Sequence, residues 1–320
     1  MGAAATAAAG PQRPSPAAAA AGALAAAAPP PSLPQPAALP PLHGSGRSTG
    51  TPQHGALDGG CRVDETALLG IEVLPPTVQR SFVWGTPTLV RLLVDTAAVL
   101  VRDAPDRPLR LGNLSRVGGG DIGPSVSHNS GRDVDIQLFA RHADDSPARP
   151  GHFVRFDASG LAQDGTVFFD TERNWLLVRQ LLSHPVAIVQ WIFIAEPLRR
   201  MLLDHALRRG EPDIVRDRAR RVLVEPRDSS PHDDHMHVRI ACPASDRPAC
   251  IDGPGRTALA RAAQIESLLE MYRHGSPAEQ RYAREILSLS DTAGDELPAP
   301  IEGPDTPSGD DASDKTMNQQ

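Results

Sequence analysis

The alternation of apolar and polar positions is sharpest in two short segments that lie far apart in the chain. In Val134-Asp135-Ile136-Gln137-Leu138-Phe139 the side chains of Val134, Ile136 and Leu138 fall on one face of an extended strand and Asp135 on the other. His237–Ile240 alternates in the same way, with His237 and Arg239 on a common side. Helical spacing governs other stretches. Thr86-Pro87 makes a capped start with proline at the first helical position. Leu89, Leu92, Leu93, Ala97 and Leu100 then recur at helical intervals, so the segment 81–102 reads as a short lead and a helix. Asp170–Leu182 carries Trp175, Leu176, Val178, Leu181 and Leu182 on one side, and Glu196–Arg208, with Pro197 in its first turn, is a further helix. Val186–Ala195 is an apolar, β-branched run of strand length. Leu109–Leu114 and Phe153–Phe156 are short strand candidates, and Arg221–Leu223 leads into the polar loop Glu225–Asp234. Strands separated by helices and long loops predict an α+β fold, a central and mainly antiparallel sheet with flanking helices and long active-site loops.

Composition trims this domain at both ends. Residues 1–60 are mostly Ala, Pro, Gly and Ser, with Ala17–Ala28 nearly pure alanine, and offer little apolar surface to offset the entropy of ordering. They read as a disordered leader or linker. From Asp291 the tail holds eight acidic residues against the single lysine, Lys315, and reads as a disordered acidic tail over 291–320. The remaining segment, 61–255, is long enough for a sizeable core. Thr257–Tyr272 and Ala278–Leu289 look like two helices and form a C-terminal helical extension over 256–290.

Charge and leader chemistry exclude several functions. The net charge of −7 and the absence of any lysine before Lys315 exclude a lysine Schiff base in the folded part and give no support to a nucleic-acid surface. No apolar run approaches a membrane span. Met1–Gln12 lacks the basic start of a secretory signal, so the leader reads equally as a poor signal sequence or a low-complexity linker. Cys242 and Cys250 bracket a short loop that a disulfide could close, and Cys61 has no evident partner; three reduced cysteines in a cytoplasmic protein is the alternative.

The chemistry sits in two clusters, Ser127-His128-Asn129-Ser130-Gly131-Arg132-Asp133-Val134-Asp135 and His232-Asp233-Asp234-His235-Met236-His237. Together they offer His, Asp and His side chains of the kind that hold zinc, with spare histidines beside them, which is the equipment for hydrolysis by a metal-activated water. Gly131 lets the chain turn between His128 and Asp135, and Asp133, two residues before Asp135, is placed to orient an imidazole or brace the loop. On a strand His235 and His237 face one side and Met236 the core. The bland alternatives are a polar turn with solvated aspartates for the first cluster and a chance His-rich loop for the second. Three of the chain's 11 histidines within His232–His237 weigh against the latter. At least one of Asp233 and Asp234 is expected to be solvated.

These two clusters, with Gly120-Asp121-Ile122-Gly123, Phe169-Asp170-Thr171-Glu172-Arg173-Asn174-Trp175 and Val238-Arg239-Ile240-Ala241-Cys242-Pro243, resemble the penicillin-insensitive murein endopeptidases, within the wider fold group of lysostaphin-like and D-alanyl-D-alanine metallopeptidases. The resemblance runs from about Gly85 to Cys250. It implies zinc held by His128, Asp135 and His237, His235 as catalytic base, and His232 as a further active-site histidine. It also matches the family's ordered cysteines to Cys242 and Cys250. Two departures stand out: Ser125 occupies a position where the family often has a histidine, and the glycine-rich loop between Asp121 and His128 is short.

The resemblance therefore implies a zinc-dependent endopeptidase acting on peptidoglycan peptides, at the D-alanyl–diaminopimelyl crosslink, with His235 moving the proton and His232 assisting. The alternatives are a catalytically inactive peptidoglycan-binding domain, a D,D- or L,D-carboxypeptidase of the same fold, and zinc that serves the fold alone. Serine hydrolysis is weak, because Ser127 and Ser130 lack a nucleophile elbow. A murein substrate places the protein in the periplasm or cell envelope, with a cytoplasmic protein as the alternative.

Overall fold

The structure is a computed structural model, and it describes residues 46–64, 70–123, 125–226, 229–252, 272–274 and 280. Its centre is a six-stranded sheet. The strands in chain order are β1 (Ile71–Val73), β2 (Leu109–Leu111), β3 (Asp133–Gln137), β4 (Val189–Phe193), β5 (Leu223–Val224) and β6 (His235–Ile240). Their spatial order is β5-β4-β6-β3-β2-β1. The three inner pairings are antiparallel and the two edge pairings parallel, so the expected α+β fold with a mainly antiparallel centre is what the chain adopts.

Among the described residues the sheet is accompanied by α1 (Pro75–Gln79), α2 (Pro87–Asp103), α3 (Thr171–Ser183), α4 (Glu196–Arg208) and α5 (Asp213–Val222). The Thr86 side chain accepts from the Leu89 amide and Asp170 from the Arg173 amide, so α2 and α3 begin at the polar residues that cap their first turns. Val134 and Ile136 of β3 and Met236, Val238 and Ile240 of β6 are fully buried. They share one core with Leu89, Leu92 and Leu93 of α2 and Leu177, Val178 and Leu181 of α3. The apolar face of the alternating strands is thus covered by helices, which leaves the opposite face for polar chemistry.

Several local expectations change. The hairpin of Arg47–Gly50 with Gly55–Asp58 falls inside the stretch whose composition suggested a linker. It holds because Ser48 and Leu57 are buried and Ser48 N–H donates to Asp246. Helix α5 was not expected. Six of its ten residues are charged, and only Ala219 and Val222 are buried, with Val215 packed beside them at the core's edge. The segment 153–156 forms no strand among the described residues, and Phe156 makes a single bridge to Ala162. The apolar run 186–195 contributes strand only over Val189–Phe193. The leader before Gly46 and the acidic tail lie outside the described residues. So do the two C-terminal helices, apart from helical backbone at Tyr272–His274 and Gln280.

Candidate metal centre

Strand register builds one half of the site. His237 of β6 lies directly opposite Asp135 of β3, His235 opposite Gln137, and Arg239 opposite Asp133. Cross-strand partners point to the same face, so six polar side chains, Asp133, Asp135, Gln137, His235, His237 and Arg239, lie on the side away from the helices. A loop supplies the other half. Gly131 turns with φ +68°, and a methyl there would run into Leu57. His128 itself has φ 76°, a left-handed conformation uncommon for a side-chain-bearing residue and found where surrounding structure enforces it.

The enforcing contacts come from both sides. Asn129 donates from its amide to the Pro52 carbonyl and from Nδ2 to the Gln53 carbonyl, at 3.0 and 2.7 Å. The fully buried Arg132 donates from its NH1 group to Asp252 Oδ1 at 2.9 Å and from its NH2 group to the Ile251 carbonyl at 3.0 Å. Cys242 and Cys250, joined as a disulfide with Cα atoms 5.7 Å apart, close the loop next to Asp252.

His128, Asp135 and His237 are all buried, and each offers a ligand atom lying within 4.8 Å of the others. His128 Nε2 is 3.2 Å and His237 Nδ1 3.1 Å from Asp135 Oδ1. His237 Nε2 is held at 2.8 Å by Asp133 Oδ1, which also accepts from Arg239 Nε at 2.6 Å. With Nε2 occupied by that carboxylate, Nδ1 is the nitrogen presented to the cluster. Asn113 Nδ2 donates to Asp135 Oδ2 at 3.2 Å, and Arg80 fixes the amide by donating to Asn113 Oδ1 at 3.0 Å, which leaves Oδ1 of Asp135 facing the histidines.

The donor set fits a zinc ion. Neither ring nitrogen of buried His128, nor Oδ1 of Asp135, has a properly directed hydrogen-bond partner among the described residues. Buried polar atoms left so cost about 1–3 kcal/mol each, a cost that coordination to a cation removes. Two imidazoles and one carboxylate are also the composition of open zinc sites.

The carboxylates make this a site that draws positive charge. Burial by itself would depress the His237 imidazolium, but the adjacent carboxylates of Asp133 and Asp135 outweigh it and push the pKa up to about 9. Burial opposes ionisation of Asp135 and Asp133, yet the surrounding histidines hold Asp135 well below the usual carboxylate range, and Arg239 with His237 does the same for Asp133.

His235 and His232 stand beside this cluster. His235 Nδ1 lies 2.6 Å from Asp234 Oδ1, and its Nε2 points inward to 3.5 Å from Asp135 Oδ1. The His232 ring centroid is 4.9 Å from that of His235. Burial, then the neighbouring His235 and His237, lowers the pKa of His232 to about 4, so it is neutral near pH 7.

All five histidine and aspartate candidates read from the two clusters therefore meet at one place. One expectation fails: neither Asp233 nor Asp234 is simply solvated. Asp234 holds His235, and the Asp233 side chain is only 15% exposed, its backbone carbonyl accepting from the Phe156 amide. Asn113, Arg80 and Phe153 were not anticipated as part of the site, because no local spacing ties them to the histidines. Ser125, which departs from the histidine often found at this position in the family that the motifs resemble, accepts from the Ser127 amide at 3.3 Å.

Residues 48–258 match the family model described as penicillin-insensitive murein endopeptidase. The match begins well before the Gly85 boundary suggested by the motifs and takes in most of the N-terminal hairpin. No curated protein matches the chain.

Proposed function

The chain belongs to the penicillin-insensitive murein endopeptidase family, and from that premise we propose that it is a zinc-dependent peptidase cleaving the D-alanyl–diaminopimelyl crosslink of peptidoglycan. Family membership itself supports peptidoglycan hydrolysis; the metal, the bond and the roles below are our reading. The observation that carries it is the convergence of buried His128, Asp135 and His237 around one point, with His235 held beside them by Asp234.

His128, Asp135 and His237 would hold the ion. When bound, zinc supplies a Lewis acid that polarises the scissile carbonyl and acidifies a water molecule. Asp234 fixes the proton on His235 Nδ1, so His235 Nε2 is free to accept the proton of the attacking water and return it to the leaving amine. His232 is neutral near pH 7 and its buried Nδ1 has no hydrogen-bond partner among the described residues. It donates to the oxygen on which charge develops. Asp133 orients His237 rather than touching substrate.

Location follows from substrate. No helix of the described residues is long and apolar enough to cross a membrane. The Cys242–Cys250 disulfide suits an oxidising compartment, so we place the protein in the periplasm or cell envelope. A mature protein found in the cytosolic fraction with free thiols at Cys242 and Cys250 would contradict that placement.

The test of activity is metal content together with digestion of purified crosslinked muropeptides. Stoichiometric zinc and cleavage at the crosslink, abolished by chelation, is the expected result. A folded, zinc-loaded protein that trims only terminal residues would make it a carboxypeptidase. One that binds sacculi without turnover would make it a binding domain.

A further inference from the structure

We propose that Phe153 is a positioning residue for His235, and that the absence of a side chain at Gly112 is what lets it act. This rests on His235 being the proton-moving group. The Phe153 ring stacks on the His235 imidazole with centroids 4.9 Å apart and planes 15° from parallel. Phe153 follows the bend at His152, and along 153–156 Val154 and Phe156 are buried while Phe153 is half-buried and Arg155 exposed. Alternation therefore turns the Phe153 ring away from the core and onto the site face.

The tip of the ring lies against backbone. A Cβ placed at Gly112 would overlap Cζ of Phe153 and stand 3.1 Å from its Cε2 and 3.1 Å from Asp135 Cβ. Gly112 is itself fixed, since its amide donates to the Asp135 carbonyl at 2.8 Å. Its backbone is not in the left-handed region, so it is space that excludes a larger residue here. The strap carrying Phe153 is tied down in turn by Gln137, whose Nε2 donates to the carbonyls of Pro150, at 3.1 Å, and His152, at 2.5 Å. Gln137 is the register partner of His235.

The imidazole is thus restrained in two independent ways. Asp234 sets its rotation through Nδ1, and Phe153 sets its plane through the ring face. A base held in one orientation loses no population to rotamers in which Nε2 points elsewhere, and that advantage appears in kcat.

A double-mutant cycle tests this in the full, zinc-loaded protein, with kcat and KM on purified crosslinked muropeptide, zinc content, and the His235 ring-proton NMR signals as readouts. Phe153→Ala is expected to lower kcat about tenfold, with KM little changed and zinc retained. It should also move the His235 ring protons downfield as the stacked ring is lost. Gly112→Ala should reproduce both effects by evicting the ring. The double variant should fall little below Phe153→Ala, because without the ring the overlap with Cζ is gone and only the 3.1 Å approach to Asp135 Cβ remains, which zinc content reports. A rise in KM alone would make Phe153 a substrate contact and overturn the proposal, as would effects of the two substitutions that multiply. A wild-type protein that cleaves nothing would sink the catalytic reading only. The NMR signals then judge the seat by themselves, and unchanged His235 resonances in both single variants would overturn it.

Discussion

The two halves of the candidate metal centre are built by different means. Asp135 and His237 stand on neighbouring strands, opposite each other in an antiparallel ladder, and the pleat that buries Val134 and Met236 turns both of them to the same side. His128 has no ladder. It sits at φ 76° in a loop whose position depends on Pro52 and Gln53 of the N-terminal hairpin region and on the Arg132–Asp252 pair beside the disulfide. A strand places a ligand through local alternation, whereas a loop needs buttresses drawn from the ends of the domain. Damage to the strand half should therefore strike the metal directly. Damage to the loop half should strike stability first and reach the metal through it.

The largest expected effect is at the centre of the strand half. Asp135→Ala should lose stoichiometric zinc and lower muropeptide hydrolysis by at least ~100-fold, since removing mere outer partners of a metal site typically costs 10–100-fold. Metal analysis beside activity checks it. Asp133→Ala leaves Arg239, which is 9% exposed, without its carboxylate. Loss of one partner of such a buried pair costs about 3 kcal/mol, and zinc affinity should fall by about 10–100-fold because His237 loses its anchor. Denaturant melts and zinc titration read the two effects separately.

On the loop side, the Cys242→Ser, Cys250→Ser double variant should cost about 2.5 kcal/mol from the reopened short loop. Asp252→Ala removes the carboxylate that receives Arg132 and should cost about 2 kcal/mol. For both, saturating zinc should restore most of the hydrolysis, because metal binding draws the population back to the folded site. A loop-half variant that stays folded yet cannot be rescued by zinc would erase the contrast between the halves.

The same contrast separates what the sequence discloses from what it conceals. The alternation around Asp135 and His237 assigns their faces, and Thr86, Asp170 and Pro197 mark helix starts, because each signal is contained within a few residues. The hairpin at Arg47–Asp58 was hidden because small polar residues carry no periodicity and its burial depends on Asp246, far along the chain. Helix α5 was hidden by its charge. Asn113, Arg80 and Phe153 reach the site only through tertiary contact, and nothing near them in sequence announces it. The motifs bring the ligands into view, while the supports that orient them appear only when the chain is folded.

The most direct test of the central claim is His235→Ala, measured for bound zinc and for cleavage of purified crosslinked muropeptides in one preparation. If His128, Asp135 and His237 hold the ion and His235 moves the proton, zinc stays stoichiometric while hydrolysis falls by about 10²–10⁴-fold. Hydrolysis at the wild-type rate, or loss of the zinc along with the histidine, would contradict that division of roles.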